Sequence, residues 1–389
     1  MDFAAWPTGG PGRTADLAVV GAGPVGLATA LRAAAAGLDV VVVEPRALPG
    51  ADPSGGAVAV LDPVDKACGE GLLPGALAEL LDLGVDPPGA PLTGVTYVRD
   101  TGRPDRPLVV GHDFRAGPGR GVRRTVLHAA LAQRAAGSGA ALLPGRVVDL
   151  VQDGARVRLD VVVPSGGGAV RSLLARWVVG ADGLHSLVRR AAGLEVAGAR
   201  PAAVRFGVRR HAAVVPWSHH VEVHWGRDVE GYVTPVGPRE VGVAVLGRRG
   251  TAFSEALERL PLLAERLRGA RWTTTARGAG PLRQRVRSVA AGRVLLVGDA
   301  AGYVDALTGE GLRVGLAAAR EAVTALTGER GRWVAPAYAG AWARQTRAHR
   351  VLTAGLLAAS GPRPVRAGLV PAAAAAPPVF AAVVERLAR

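Results

Sequence analysis

Two patterns of apolar and polar positions divide the chain. The run VVVVE at 40–44 and the run RVLLV at 293–297 have no polar alternate face, which predicts strands covered on both sides, as in a parallel sheet flanked by helices. The first of these is preceded by ADLAVV at 15–20, the glycine turn GAGPVG and an alanine-rich helix, so residues 15–44 read as one parallel βαβ unit. Residues 45–63, rich in Pro, Gly and Ala, read as loose. Helical spacing follows up to Leu83, again from Arg123 to Ala136, over 254–268, and from Gly311 onward. From 333 the tail is helical, with an alanine-proline break at 371–378.

Elsewhere the pattern is that of short strands: 92–100, a meander over 140–180, and 201–247. In HHVEVHWG (219–226) the alternation is strict. His220, Glu222 and His224 share one face, while Val221, Val223 and Trp225 share the other. Two histidines and a carboxylate could bind a metal or exchange protons. The face is read instead as the solvent side of an antiparallel sheet, and no metal site is expected.

Composition narrows the function. A chain of 389 residues that is 49% hydrophobic can build two domains or one large interleaved pair. Its single cysteine excludes an internal disulfide framework and a cysteine-rich metal site. The first residues lack a basic head followed by an apolar run, and no segment holds about 18 uninterrupted apolar residues. Neither a signal peptide nor a membrane span is expected, and a cytoplasmic location is. The formal charge of +15 comes from arginines dispersed along the chain, with only four tyrosines and five phenylalanines to stack on bases. No nucleic-acid partner is expected, and any membrane contact is expected to be peripheral.

Three glycine-marked turns carry the chemistry. Gly21-Ala22-Gly23-Pro24-Val25-Gly26 opens a helix directly after a strand, and Glu44 closes the next strand. Such glycines let a backbone approach a pyrophosphate at a helix N-terminus, and the acid hydrogen-bonds a ribose hydroxyl. In residues 177–193, WVVGADGLHSLVRRAAG, a strand ends at Gly180-Ala181-Asp182-Gly183. In residues 295–322 a buried strand ends at Gly298-Asp299, and Thr308-Gly309-Glu310-Gly311 launches a helix whose free N–H groups suit a group that becomes negative.

In this order the three turns resemble the FAD-dependent superfamily that contains para-hydroxybenzoate hydroxylase and other aromatic monooxygenases, together with the geranylgeranyl reductases. The resemblance spans about residues 15–330. It implies an α/β fold: a Rossmann-type FAD-binding domain interleaved with an antiparallel β-sheet substrate domain, followed by a helical C-terminus. The FAD-binding part would comprise 15–90, 120–200 and 290–330, the substrate part 91–119 and 201–289, and the terminal helices 331–389.

The same resemblance assigns residues. Gly21, Ala22, Gly23, Gly26 and Glu44, with Arg46 beside it, match the ADP-binding fingerprint, and Asp299 matches the aspartate that holds the ribityl chain. Gly309, Glu310 and Gly311 match the helix start facing the flavin. Asp182 and Gly183 match a motif linked to FAD and NAD(P)H. Arg124 matches an arginine that begins a helix beside the flavin, a role its neighbour Arg123 could also fill. The stretch VDKACGEGLLPGAL (64–77) is similar to a cysteine-glycine turn of the geranylgeranyl reductases. Cys68, Gly69, Glu70 and Gly71 are therefore expected where substrate meets flavin, with glycines allowing close backbone approach. Lys66, the only lysine, is left in solvent.

The chain departs from the hydroxylase pattern at Gly302, where histidine is common, and in ALTGEG, which lacks the proline. It departs from the reductases in 230–246, which keeps Tyr232 but not the accompanying tryptophan and phenylalanine. It lacks the tryptophan-rich element of the flavin halogenases. The leading expectation is an FAD monooxygenase that takes a hydride from NAD(P)H and uses oxygen to hydroxylate a small aromatic or polyketide-like substrate. The alternatives are an FAD-dependent reductase of prenyl double bonds in an isoprenoid substrate, and a flavin-binding protein without turnover.

Overall fold

The computed structural model describes residues 14–51, 57–63, 65–99, 107–164, 168–196, 204–329 and 331–388. Strand Thr14–Val20, helix Pro24–Ala35 and strand Val40–Glu44 form the expected βαβ unit, with Val20 opposite Val43 in a parallel ladder. Ala141–Pro144 adds to one side, and Val170–Gly180 then Val294–Leu296 add to the other, all in parallel. Antiparallel strands Val157–Val162, Arg146–Gln152 and Ala290–Ala291 complete an eight-stranded sheet. Helices Pro24–Ala35 and Gly311–Gly328 pack beside it, and a Cβ on Gly315 would lie 2.5 Å from Val25 Cγ2. Only glycine lets these two helix starts converge.

A second eight-stranded sheet runs in the order Arg271–Trp272, Arg205–Ala213, Glu240–Arg248, Glu230–Gly237, His220–Trp225, Gly94–Arg99, Leu108–Asp113, with Arg277–Ala279 also on Arg205–Ala213. It is antiparallel except where Gly94–Arg99 lies parallel to His220–Trp225. A three-stranded sheet of Gly71–Leu72, Gly119–Gly121 and Ala90–Leu92 joins the two halves.

Four local expectations change. The stretch 45–63 contains a hairpin of Ala47–Ala51 with Ala57–Leu61. The helix expected over 254–268 is two, Phe253–Glu258 and Pro261–Arg266, because Pro261 lacks an N–H and can only open a helix. The tail forms three helices, Val334–Ala359, Arg363–Ala375 and Pro377–Ala388. Finally, the polar face of His220–Trp225 is not a solvent face. Glu222 and His224 are buried, their side chains 3.1 Å apart, and Arg266 of the overlying helix pairs with Glu222 at 3.2 Å. His220 bonds Thr96 Oγ1 at 2.8 Å and Asp113 at 2.7 Å. These side chains are committed to one another.

Candidate active site

The first glycine turn is built for a close backbone contact. Gly21 has φ of +100°, and a Cβ there would meet Ala181 O at 2.8 Å; one on Gly26 would lie 1.9 Å from Gly21 O. A Cβ on Gly23 would meet nothing within 4 Å, so the turn is packed on its inner side and open at Gly23. The helix it starts has no side-chain cap, leaving backbone N–H groups for an anion. Glu44 is buried; its Oε2 accepts from Ala22 N at 2.8 Å and its Oε1 from Arg46 Nε at 2.9 Å. His128, held below the usual histidine range by burial, donates from Nε2 to Ala22 O at 2.8 Å. Acid and histidine together fix both polar groups of Ala22.

At the other end, Val294–Leu296 leads into Gly298–Ala301, whose Asp299 Oδ2 accepts from Lys66 Nζ at 3.1 Å. Lys66 is therefore in the site and not in solvent. Gly309 and Gly311 line the same cavity, and helix Gly311–Gly328 starts without a side-chain cap. Glu310 turns away: its carboxylate binds Arg313 Nε at 3.0 Å and His349 Nδ1 at 2.6 Å. Tyr303 stands over Gly311, whose Cβ would lie 3.0 Å from Tyr303 Cε2. Burial first, and then the charge of Asp299, pushes its hydroxyl well above the usual tyrosine range.

The turn Cys68–Gly71 forms the wall between these ends. Glu70 has φ of +59°, the one non-glycine residue with positive φ among those described. Its carboxylate explains how the strain is held. Oε1 accepts from Arg124 N at 2.9 Å, and Oε2 meets His211 Nε2 at 2.7 Å. His211 in turn contacts Arg209 Nη1 at 2.9 Å and Thr274 Oγ1 at 3.0 Å, and Arg209 pairs with Asp65. Arginine and hydrogen-bond partners hold the Asp65 carboxyl below the usual range despite partial burial. On the turn's other side Thr234 Oγ1 donates to Gly69 O at 2.7 Å, and Cys68 Sγ accepts from Glu70 N at 3.4 Å. Glu70 thus anchors the turn, and Cys68, Gly69, Glu70 and Gly71 all line the cavity. Arg124 lines it too, and Arg123 is tied to Glu240 at 3.2 Å, which separates the two adjacent arginines.

Asp182 also lines the cavity, but its carboxylate holds the next helix: Oδ1 accepts from Ser186 Oγ at 2.5 Å and Oδ2 from Leu187 N at 2.7 Å. It fixes the turn, in which Gly183, with φ of +80°, also lines the cavity.

Gly21, Gly23, Glu44, Arg46, Lys66, the turn Cys68–Gly71, Arg124, Asp182, Gly183, Asp299, Gly309 and Gly311 border one cavity of about 1050 Å³, which runs from Gly23 and Glu44 past Asp299 to Gly311, whereas Ala22, Gly26 and Glu310 stand outside its lining. Beyond Cys68 it continues as an apolar limb lined by Val95, Tyr97, Val223, Leu246, Val384 and Leu387. Tyr232 faces this limb with its hydroxyl tied to Glu230 and to Leu307 O, each at 3.3 Å. Glu230 is itself neutralised by Arg205 and by Arg366 at 2.7 Å. The wall is thereby closed without a free charge.

An open glycine, two uncapped helix starts and acids at both ends fit an elongated dinucleotide with a pyrophosphate in its middle. Sequence comparison agrees. Residues 101–348 match the profile of a FAD binding domain family, and residues 16–105 that of FAD dependent oxidoreductases. The chain belongs to the FAD-dependent oxidoreductases. A menaquinone reductase of Mycolicibacterium smegmatis is 34% identical over 340 residues, covering 80% of this chain and 76% of that one. Digeranylgeranylglycerophospholipid reductase 2 of Methanopyrus kandleri is 30% identical, covering 78% and 75%. Among solved structures the flavin-dependent brominase Bmp2 superposes with a TM-score of 0.77 at 17% identity, over 97% of this chain and 94% of that one, a likeness of fold. Mixed parallel sheet, largely antiparallel second sheet and terminal helices are common to both.

For this flavoprotein, Glu44→Ala is expected to raise the FAD dissociation constant about tenfold, the loss of one charge-assisted hydrogen bond. Turnover at saturating FAD stays near wild type, because Glu44 is held at the first glycine turn through Ala22 N and is not part of the Cys68–Gly71 turn. Titration of the apoprotein followed by flavin fluorescence checks this, and an unchanged constant would remove Glu44 from the site.

Proposed function

We propose that the protein is an FAD-dependent reductase that saturates a carbon–carbon double bond in an isoprenoid chain, such as that of a prenylated quinone, and that it works in the cytoplasm. The observation that carries this is the apolar limb. It joins the flavin end of the cavity at Cys68 and is walled by valines, leucines and tyrosines with no unneutralised charge, which suits a hydrocarbon chain and not a polar aromatic acid. Relatives named as reductases of menaquinone and of an isoprenoid glycerophospholipid support it over hydroxylation, the leading expectation from sequence.

When bound, FAD supplies the hydride. The chain supplies position, dryness and a proton. Gly309 and Gly311 present backbone N–H groups, and Lys66 with Asp299 sets a hydrogen-bonded pair beside them. The second carbon of the double bond needs a proton donor. Glu70 also lines the cavity, but its Oε1 accepts from Arg124 N and its Oε2 meets His211 Nε2; the thiol of Cys68, on the same wall, is assigned the role. Cys68→Ala is then expected to keep FAD and lower turnover about a hundredfold, as for loss of a general acid. A loss of less than about fivefold, well below that range, would remove the thiol from proton transfer.

The reductant in this reading is NAD(P)H. A second groove of about 630 Å³ adjoins the flavin cavity between Gly183 and the strand end Gly247-Arg248, with Arg46, Lys66 and Arg248 on its lining, a cationic surface suited to a diphosphate. The reductase reading is tested by adding an isoprenoid quinone to the reduced protein without oxygen. Return of the oxidised flavin spectrum, with a saturated bond in the product, is expected. A flavin that stays reduced until air is admitted, with the quinone chain unchanged, would overturn it.

A further inference from the structure

The last three helices present a surface that the site does not explain. Between residues 351 and 382, every exposed position is Val, Ala, Gly or Pro except Arg363. Val351 is 67% exposed, Val365 47% and Val379 64%, although valine is a residue usually kept inside. Helices Arg363–Ala375 and Pro377–Ala388 together are as apolar as a membrane segment but meet at a bend of 102°. Their inner sides are occupied: Phe380 packs on Tyr97 with ring centroids 5.1 Å apart, Arg366 holds Glu230, and Glu385 accepts from Arg115 N at 2.8 Å. The outer sides are apolar except for Arg363 and Arg386, both exposed.

Charge borders this surface on one side. In residues 331–388 Glu385 is the only acid, and it is buried and paired with His112 at 3.0 Å. Arg344, Arg347 and Arg350 are exposed on the helix that leads into the apolar stretch. Weakly apolar residues beside unopposed arginines are the composition of a helix that lies in a bilayer interface, with apolar groups among acyl chains and cations at the headgroups. A second copy of the chain would bring the same arginines against each other. No single helix among the described residues is long and apolar enough to cross a membrane, and the bent pair lies along a surface.

We infer that the outer face of Arg363–Ala388, with Arg344, Arg347 and Arg350, docks on an anionic phospholipid bilayer. Its use for substrate entry rests on the isoprenoid reading: Val384 and Leu387, on the inner side of the last helix, line the apolar limb, so a lipid leaving the bilayer meets the cavity wall at once. The docking itself rests on the exposed face alone.

Flotation of the holoprotein with phosphatidylcholine vesicles, with and without phosphatidylglycerol, tests the inference. The protein is expected to float with the anionic vesicles, less so at high salt, and to stay behind with neutral ones. Arg344→Glu/Arg347→Glu/Arg350→Glu, and separately Val365→Asp/Val379→Asp, should each lower vesicle binding at least about tenfold while FAD content stays unchanged. Turnover of vesicle-embedded quinone should fall in parallel, and turnover of detergent-dispersed quinone should not. Absence of flotation, equal flotation of both variants, or a dimer that Val379→Asp disperses would overturn the docking surface. Normal flotation without quinone turnover would instead overturn the reductase reading and leave the docking intact.

Discussion

Asp299→Ala should yield a folded protein that emerges from gel filtration nearly free of FAD. The carboxylate stands at the end of a buried strand, where the resemblance places the ribityl hydroxyls, and it accepts from Lys66 Nζ at 3.1 Å. Removing it deletes a charge-assisted hydrogen bond of about 1.5–3 kcal/mol, roughly a 10- to 150-fold loss of affinity. It also leaves the Lys66 ammonium without its partner in a site where Lys66 is only 37% exposed. Lys66→Met should weaken FAD less, because the carboxylate remains and gains freedom to meet the cofactor. Equal FAD retention by Asp299→Ala and wild type would mean that the cofactor does not lie along this strand end.

Glu70→Ala should be the most destabilising single change in the site. Both carboxylate oxygens are used, one by Arg124 N and one by His211, and the side chains of Glu70 and His211 are 1% and 0% exposed. Removing one member of a buried pair costs about 3–5 kcal/mol, because the partners are left unpaired. Here those partners are His211 and Arg209, and the substitution also removes what holds a backbone at φ of +59°. A fall of about 10 °C in the thermal midpoint is expected. Glu70→Gln, which keeps an acceptor for Arg124 N, should fall less. Gly242→Ala offers an independent check, since a Cβ there would lie 2.7 Å from Glu70 Oε2 and should unseat the same contact. A thermal midpoint unchanged by Glu70→Ala would show that the turn is held by other means.

The parts of this molecule readable from sequence are those that physics ties to a fixed local spacing. A glycine turn that opens a helix holds its glycines and its helix start within a few residues, so the helix starts at Gly21–Gly26 and Gly309–Gly311 are legible in the sequence. What sequence reading missed depends on partners brought from afar. Lys66 and Asp299 are 233 positions apart, and Glu70 and His211 are 141 apart; nothing around His211 marks it, and for Lys66 the only hint is that it is the sole lysine. The alternation in 219–226 correctly separates two faces, but which face is covered depends on helix Pro261–Arg266, whose placement no strand pattern encodes. Likewise the tail could be read as helical, whereas the part of Val384 and Leu387 in the cavity wall follows only from how the last helix returns to the second sheet.

The most direct measurement is the mass of the product formed from an isoprenoid quinone in air containing isotopically labelled dioxygen, with NAD(P)H as reductant. A product that has gained two hydrogens and carries no label is the predicted result. Incorporation of a labelled oxygen atom into the product would contradict it and return the protein to the hydroxylases.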